Sequence, residues 1–504
     1  MTFGLFHGRG EGGAPEVSLG AVLWLAAAAL FVLLRLAFLL NAPVGGFELA
    51  HLSGAWQAGA GESDPRFVPT LFQAATALSF QLTVSEMPAR VVAFLVTATV
   101  PLALYLLRGR LGDAGALFAL VFLALDGPAI VLGASASAFG FDSAVTVWLL
   151  VALLRGHAPA WALGCLVFLA GTAGPLVLPL AFAAGVTALA NRRYPAGRAV
   201  LAGAIGAVVA IGAASTGFGA GWEGLVLPPF ALFAAGFEQT WSQPTTFELA
   251  RLYSFPLLVV GIAAAGTACY RAYRAKAAPL ETVLFLTWFL TAFAWFVTSA
   301  ASQNPAALVG LTLPLALFSG PMLSEAVAAV WRAEWRVARY LVPAALFAFV
   351  LALSVAMDWA RAGKAGGANE QVLVAGFVIL GVSSLGYIAA TRAALPALLV
   401  PVGLVLAVPL FAGAFGASFG SAQEPLPSPV SPSQLRDLRT IALETAAAQG
   451  GRIVVHPSLE RDITWGFRDS GTLVVASRVP ETAAVVIWPA GLPRPEGYAP
   501  LAGD

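Results

Sequence analysis

The feature that most limits what this chain can become is a series of apolar runs, each close to the length that crosses a bilayer, spread from residue 18 to residue 415. Crossing about 30 Å of hydrocarbon takes about 20 helical residues, and a helix satisfies its own backbone polar groups where lipid offers no partner. The runs fall at roughly 18–40, 88–107, 113–132, 141–155, 158–172, 175–191, 198–216, 252–270, 279–299, 304–326, 340–357, 371–391 and 396–415. They predict an α-helical polytopic membrane protein with about thirteen transmembrane helices. Of the 504 residues 59% are hydrophobic and 11% charged, against about 25% charged in a soluble domain.

The formal net charge of +1 argues against nucleic acid as a partner and leaves membrane lipids as the general one. Cys165 and Cys269 lie in apolar stretches and read as small packed side chains.

Basic residues sort by loop. Arg108, Arg110, Arg155, Arg192, Arg193, Arg198, Arg271, Arg274, Lys276, Arg332, Arg336, Arg339 and Arg392 fall on one side. Arg66, Arg90, Arg251, Arg361 and Lys364 fall on the other. The positive-inside rule then places residues 1–17 in the cytoplasm and, with an odd number of crossings, the C-terminus outside a plasma membrane. No small-residue cleavage site follows the first run, so 1–17 reads as an uncleaved lead-in.

Within the membrane domain, 18–416, two outer loops at 41–87 and 217–250 are long for a compact bundle, and such loops usually carry function. The first has helical pattern in Phe47, Leu52 and Trp56 and again from Phe67 to Phe80, which predicts short helices along the membrane surface. After Phe415 comes a Pro/Ser linker at 417–432. Residues 433–504 then read as a small extracytoplasmic α/β domain, with a helix at Gln434–Ala448 and strands at Arg452–His456, Thr472–Ser477 and Ala483–Trp488. This domain is where a protein partner would dock.

Ionisable residues in and beside apolar runs are the candidates for chemistry. Glu48, just past the outer end of the first run, is placed to act as a base toward an acceptor hydroxyl, or simply to cap a helix. His51 lies one turn later on the same face. Arg35 is a lone charge inside the first run, so it has a partner, holds a phosphate or snorkels to the interface. Arg66 sits with Glu62 and Asp64 in the first loop, and Asp142 opens the fourth helix, where a carboxylate complements the dipole. No zinc pattern, P-loop, dinucleotide fingerprint or nucleophile elbow occurs, and the four histidines are scattered.

The order of several short strings resembles the glycosyltransferase C superfamily (GT-C), in its protein O-mannosyltransferase-like branch that includes the flippase-activity-associated family. Arg35-Leu36 is similar to that branch's first-helix Arg-Leu pair, and Gly46-Phe47-Glu48-Leu49 to its Trp-Asp-Glu-Ala segment. Phe67-Val68-Pro69-Thr70-Leu71 matches the Pro-containing loop helix, and Ser85-Glu86-Met87-Pro88-Ala89-Arg90 the Ser-Glu-x-x-x-Arg segment. Leu125-Asp126-Gly127-Pro128 is similar to the branch's Asn/Ser-Pro. In the tail, Leu435-Arg436-Asp437-Leu438, Arg452-Ile453-Val454-Val455 and Ile463-Thr464-Trp465-Gly466-Phe467-Arg468-Asp469 resemble its extracytoplasmic segment.

The resemblance implies transfer of a sugar, mannose or another hexose, from a polyprenyl-phosphate carrier to an acceptor at the outer face of the membrane. It implies a first-loop acid as base and basic residues on the lipid phosphate, and leaves open a divalent metal ion. Phe47 stands where the aspartate is expected, so the base falls to Glu48. Substrate contacts fall to Arg35, His51, Arg66, Arg90 and Asp142. Gly133 to Gly140 replaces charged and aromatic side chains expected before the fourth helix. That loss keeps a second reading in view, a non-catalytic protein of the same fold that binds lipid or organises partners. A secondary transporter fits less well, because the helices show neither paired intramembrane acids nor a clear inverted repeat.

Overall fold

The computed structural model describes residues 18–41, 46–59, 71–155 except 84, 159–191 except 175, 197–215, 246–276, 279–298 and 305–332, short pieces of 410–418, and 432–498 with interruptions from 460 onward. The runs 340–357 and 371–391, most of 396–415 and of the loop 217–250, and residues 1–17 lie outside the described residues.

The membrane part begins with α1 (Leu19–Asn41), followed by α2 (Gly46–Gly59) and α3 (Leu71–Phe80) in the first loop. Helices α4 (Glu86–Thr97) and α5 (Val100–Leu111) then run on as one apolar stretch of 26 residues. After them come α6 (Asp113–Leu125), α7 (Gly127–Ala134), α8 (Ala138–Arg155), α9 (Ala160–Ala173), α10 (Val177–Asn191) and α11 (Gly197–Ser215). A helical turn at Thr246–Leu249 and a π-helical turn at Ala250–Ser254 lead into α12 (Phe255–Ala275), then α13 (Leu280–Thr298) and α14 (Pro305–Arg332). Among the described residues, six helices are long and apolar enough to cross a membrane, or seven if the bent α6–α7 pair is one span. The chain is thus an α-helical multi-pass membrane protein. Large apolar side chains such as Leu25, Leu33, Leu95 and Val208 stand more than half exposed on the outer faces, where lipid would cover them.

The stretch 113–132, which reads as one span, is in fact two helices meeting at 72°. The cause is local. Pro128 has no N–H to give and its ring would collide with the Ala124 carbonyl in a continuous helix, so Asp126 takes an extended conformation between them. Elsewhere small residues let helices touch. Ala202, Gly206 and Ala210 recur every fourth residue on α11 and meet Gly164 and Gly171 of α9; a side chain at Gly206 would strike the Gly164 carbonyl. Likewise α6 and α14 meet where a side chain on Gly320 would strike the Gly115 carbonyl.

In the tail, α15 (Pro432–Gln449) precedes three short parallel strands, β1 (Arg452–Val455), β2 (Leu473–Val475) and β3 (Ala483–Ile487), ordered β2-β1-β3. Ala442, Ala446, Ile453, Val455, Phe467, Val485 and Ile487 form a core of their own. Strand β1 lies in the middle and is buried along three of its four residues, as its Ile-Val-Val run requires.

Candidate active site

The ionisable residues singled out from the sequence lie, among the described residues, on α1, α2, α4 and α8. Glu48 stands in the first turn of α2, where the helix dipole favours a carboxylate. It faces Arg90 of α4 in a forked pair, with Arg90 Nε donating to Oε1 at 2.9 Å and Nη2 to Oε2 at 2.7 Å. The backbone N–H of Ala136 donates to the same Oε1 at 2.6 Å. Both side chains are buried, 1% and 4% exposed. Three donors therefore fix one carboxylate in a water-poor place, a strong arrangement because each bond is charge-assisted.

The third donor comes from the stretch in which charged side chains were missing. Ser135-Ala136-Ser137 is a buried reversal between α7 and α8, with the two serine hydroxyls 3.0 Å apart. Two glycines make room for it. A side chain at Gly140 would strike the Leu132 carbonyl, and one at Gly133 would lie 2.8 Å from Thr97 and 3.0 Å from Arg35 Nε. The loop thus answers Glu48 with a main-chain N–H, which no reading of side chains alone detects.

Arg35 is 1% exposed and points into the α6–α7 elbow. Its Nη2 donates to the carbonyls of Leu123 at 3.0 Å and Ala129 at 3.1 Å, and Nη1 to Phe31 at 3.1 Å. The break at Asp126 frees carbonyls that lipid cannot hydrate, and Arg35 takes them up. Asp126, fully buried, is its counter-charge. Asp126 accepts from Ser254 at 2.8 Å and Thr312 at 3.1 Å, so α14 and the π-helical turn before α12 converge on the elbow. Asp126, Ser254 and Thr312 were not among the sequence candidates. Pro128 marks the break in the sequence, but nothing marks the partners.

Asp142 is fully buried in the second turn of α8, four residues after its start rather than at its mouth. It accepts the Leu176 N–H at 2.8 Å, where the chain turns from α9 into α10, and a side chain at Gly174 would collide with its Oδ2. Its place is therefore a joint between helices α8 and α10. His51 of α2 packs edge-on against Phe72 of α3 and Phe139 of α8, with ring centroids 6.3 and 5.6 Å away. Burial pushes its pKa down to about 4, with the Glu48 charge pulling the other way, so the ring is neutral at pH 7. Arg66, Glu62 and Asp64 lie outside the described residues.

The structure thus brings Glu48, His51 and Arg90 together with Ala136, places Arg35 beside Asp126 at the elbow, and sets Asp142 at a separate joint. Among the described residues no group of three or more His, Cys, Asp or Glu side chains gathers as metal ligands would.

No protein-family profile and no curated protein matches the sequence. Solved structures do match in shape. ArnT from Cupriavidus metallidurans in the apo state shares 16% identity at a TM-score of 0.54, over 90% of this chain and 85% of that one. The same protein bound to undecaprenyl phosphate aligns over the same shares, at 16% identity and a TM-score of 0.51. A weaker likeness, at 13% identity and a TM-score of 0.49, is to the oligosaccharyltransferase of Archaeoglobus fulgidus in the apo form, over 90% of this chain and 64% of that one. The helical membrane fold expected from the sequence is therefore the fold this chain has, and ArnT shares it.

Proposed function

We propose that the protein is a membrane glycosyltransferase that takes a sugar from a polyprenyl-phosphate carrier and passes it to an acceptor at the outer face of the plasma membrane. The observation that carries this reading is the forked Glu48–Arg90 pair at the base of the first-loop helix, joined by the Ala136 N–H. It supplies an acid and a base-holding cation beside the first-loop helices, in a fold shared with a structure that holds undecaprenyl phosphate. In this reading an incoming acceptor hydroxyl displaces one Arg90 bond and gives its proton to Glu48, while Arg90 turns toward the leaving phosphate. Arg66 adds a second cation for that phosphate, and the residues 433–504 face the acceptor side.

The same pair favours a second reading. A carboxylate already holding three donors resists displacement, and a pair so satisfied serves equally to clamp α2 onto the bundle of a non-catalytic, lipid-binding protein.

Purified protein in lipid nanodiscs, supplied with a panel of polyprenyl-phosphate sugars, separates the two. The transferase reading expects turnover that Glu48→Gln lowers by about 10²–10⁴-fold while carrier binding persists. Carrier binding without turnover in the native chain gives the second reading, and neither binding nor turnover overturns both.

A further inference from the structure

In the tail, register defines both ends of the sheet: Val455 pairs with both Val475 and Ile487, so His456, Ala476 and Trp488 are the first residues beyond its carboxyl end, and Arg452 pairs with Ala483 at its amino end. A cavity of about 640 Å³ lies beside β3, with Trp488 from the carboxyl end, Pro480 and Tyr498 from the amino end, and Ser477, Arg478 and Pro495 in its wall. That volume lies within the range of small-molecule sites.

Two aromatic rings in the wall are held from behind. His456 meets Trp488 edge-on with centroids 4.5 Å apart, and the Tyr498 hydroxyl donates to the Ala483 carbonyl at 2.8 Å. The Trp488 indole N–H is itself buried, with no hydrogen-bond partner among the described residues, so the ring offers the cavity its apolar surface rather than a donor. Ser477 and Arg478, both exposed, add a hydroxyl and a guanidinium at the mouth. Fixed aromatic faces suit the apolar face of a pyranose ring, and the Ser477 hydroxyl suits its hydroxyls. The guanidinium adds fork geometry for a carboxylate.

We propose that this cavity beside β3 of the tail sheet is a binding site for an acidic saccharide. It is independent of the transferase reading, because it concerns binding alone and is measured without turnover.

The test is titration of the full chain in lipid nanodiscs with digalacturonic acid, and with neutral galactobiose as its uncharged counterpart, followed by calorimetry and ligand-observed NMR. The acidic disaccharide is expected to bind at least about tenfold more tightly than the neutral one, with Arg478→Ala removing that preference and Trp488→Ala removing binding of both. Arg478 is exposed, so its substitution leaves the sheet folded even where that of Trp488 does not. Equal affinity for the two sugars, unchanged binding in Arg478→Ala, or no binding at millimolar concentration overturns the proposal. So does capture of a proline-rich decapeptide by the same residues in place of the sugar.

Discussion

Two ends of one helical stretch handle charge in opposite ways. Near its start Arg90 is 4% exposed and shares a fork with the buried Glu48. Twenty residues on, roughly 30 Å along the helix axis, Arg110 is 45% exposed and meets Glu281, 23% exposed, across the gap to α13. Arg271 and Glu325 make a third pair, more than half exposed on both sides. Distances do not tell these pairs apart, since each includes an N–H···O contact of 2.7–2.9 Å. Surroundings do. A pair in water gains little over its hydrated parts, whereas a pair shut away from water leaves a stranded charge when either member is lost. The exposed pairs decorate the bundle; the buried one fixes where α2 sits.

That contrast can be broken at graded cost. Arg90→Ala strands Glu48 and should cost about 3–5 kcal/mol, read as a fall in unfolding midpoint in nanodiscs. If Glu48→Leu with Arg90→Met restores most of the loss, the pair sets position rather than adding net stability. Asp142→Ala leaves the buried Leu176 N–H without its acceptor and should cost about 1–3 kcal/mol by the same measurement. His51 supplies a pH-dependent version. Its folded pKa of about 4 lies below the ordinary value of about 6.5, so the opened state binds the proton more readily. Its contribution is whole above about pH 6.5 and falls by up to about 1.4 kcal/mol for each unit of pH below that, until about pH 4. Protection factors of α2 against hydrogen exchange, corrected for the intrinsic pH dependence of the amides, should therefore fall as pH drops from 7.5 to 5, and His51→Phe should flatten the response. Smallest of all, Arg110→Ala should change stability by no more than about 1 kcal/mol and lose even that in high salt. A larger effect would mean that exposure is a poor guide to what these pairs do.

How much of this was legible in the sequence depends on whether the cause is local. Apolar runs are legible because lipid imposes the same demand on every crossing, and 18–40, 141–155, 252–270 and 279–299 appear within a few residues as α1, α8, α12 and α13. The α6–α7 break was hidden inside an apolar run, although Pro128 announces it. Partners are another matter. Ser254 and Thr312 reach Asp126 from 128 and 186 residues away, and no spacing rule connects them. Glu48 and Arg90 were each named as candidates, yet their pairing is a property of how α2 folds back over α4. The Ala136 N–H was invisible for a different reason: it belongs to the main chain, which every residue has.

The elbow at Asp126 also sets a timetable. Arg35 enters the bilayer with the first helix, while the Leu123 carbonyl that will receive it is 88 residues further along the chain. At ribosomal speeds of about 5–20 residues per second, those carbonyls are synthesised roughly 4 to 18 seconds later. During that interval a bare guanidinium has to be kept at the rim of the translocation channel or among lipid headgroups. Early assembly is therefore a wait by the first helix for the sixth and seventh, with one arginine held in suspense until they arrive.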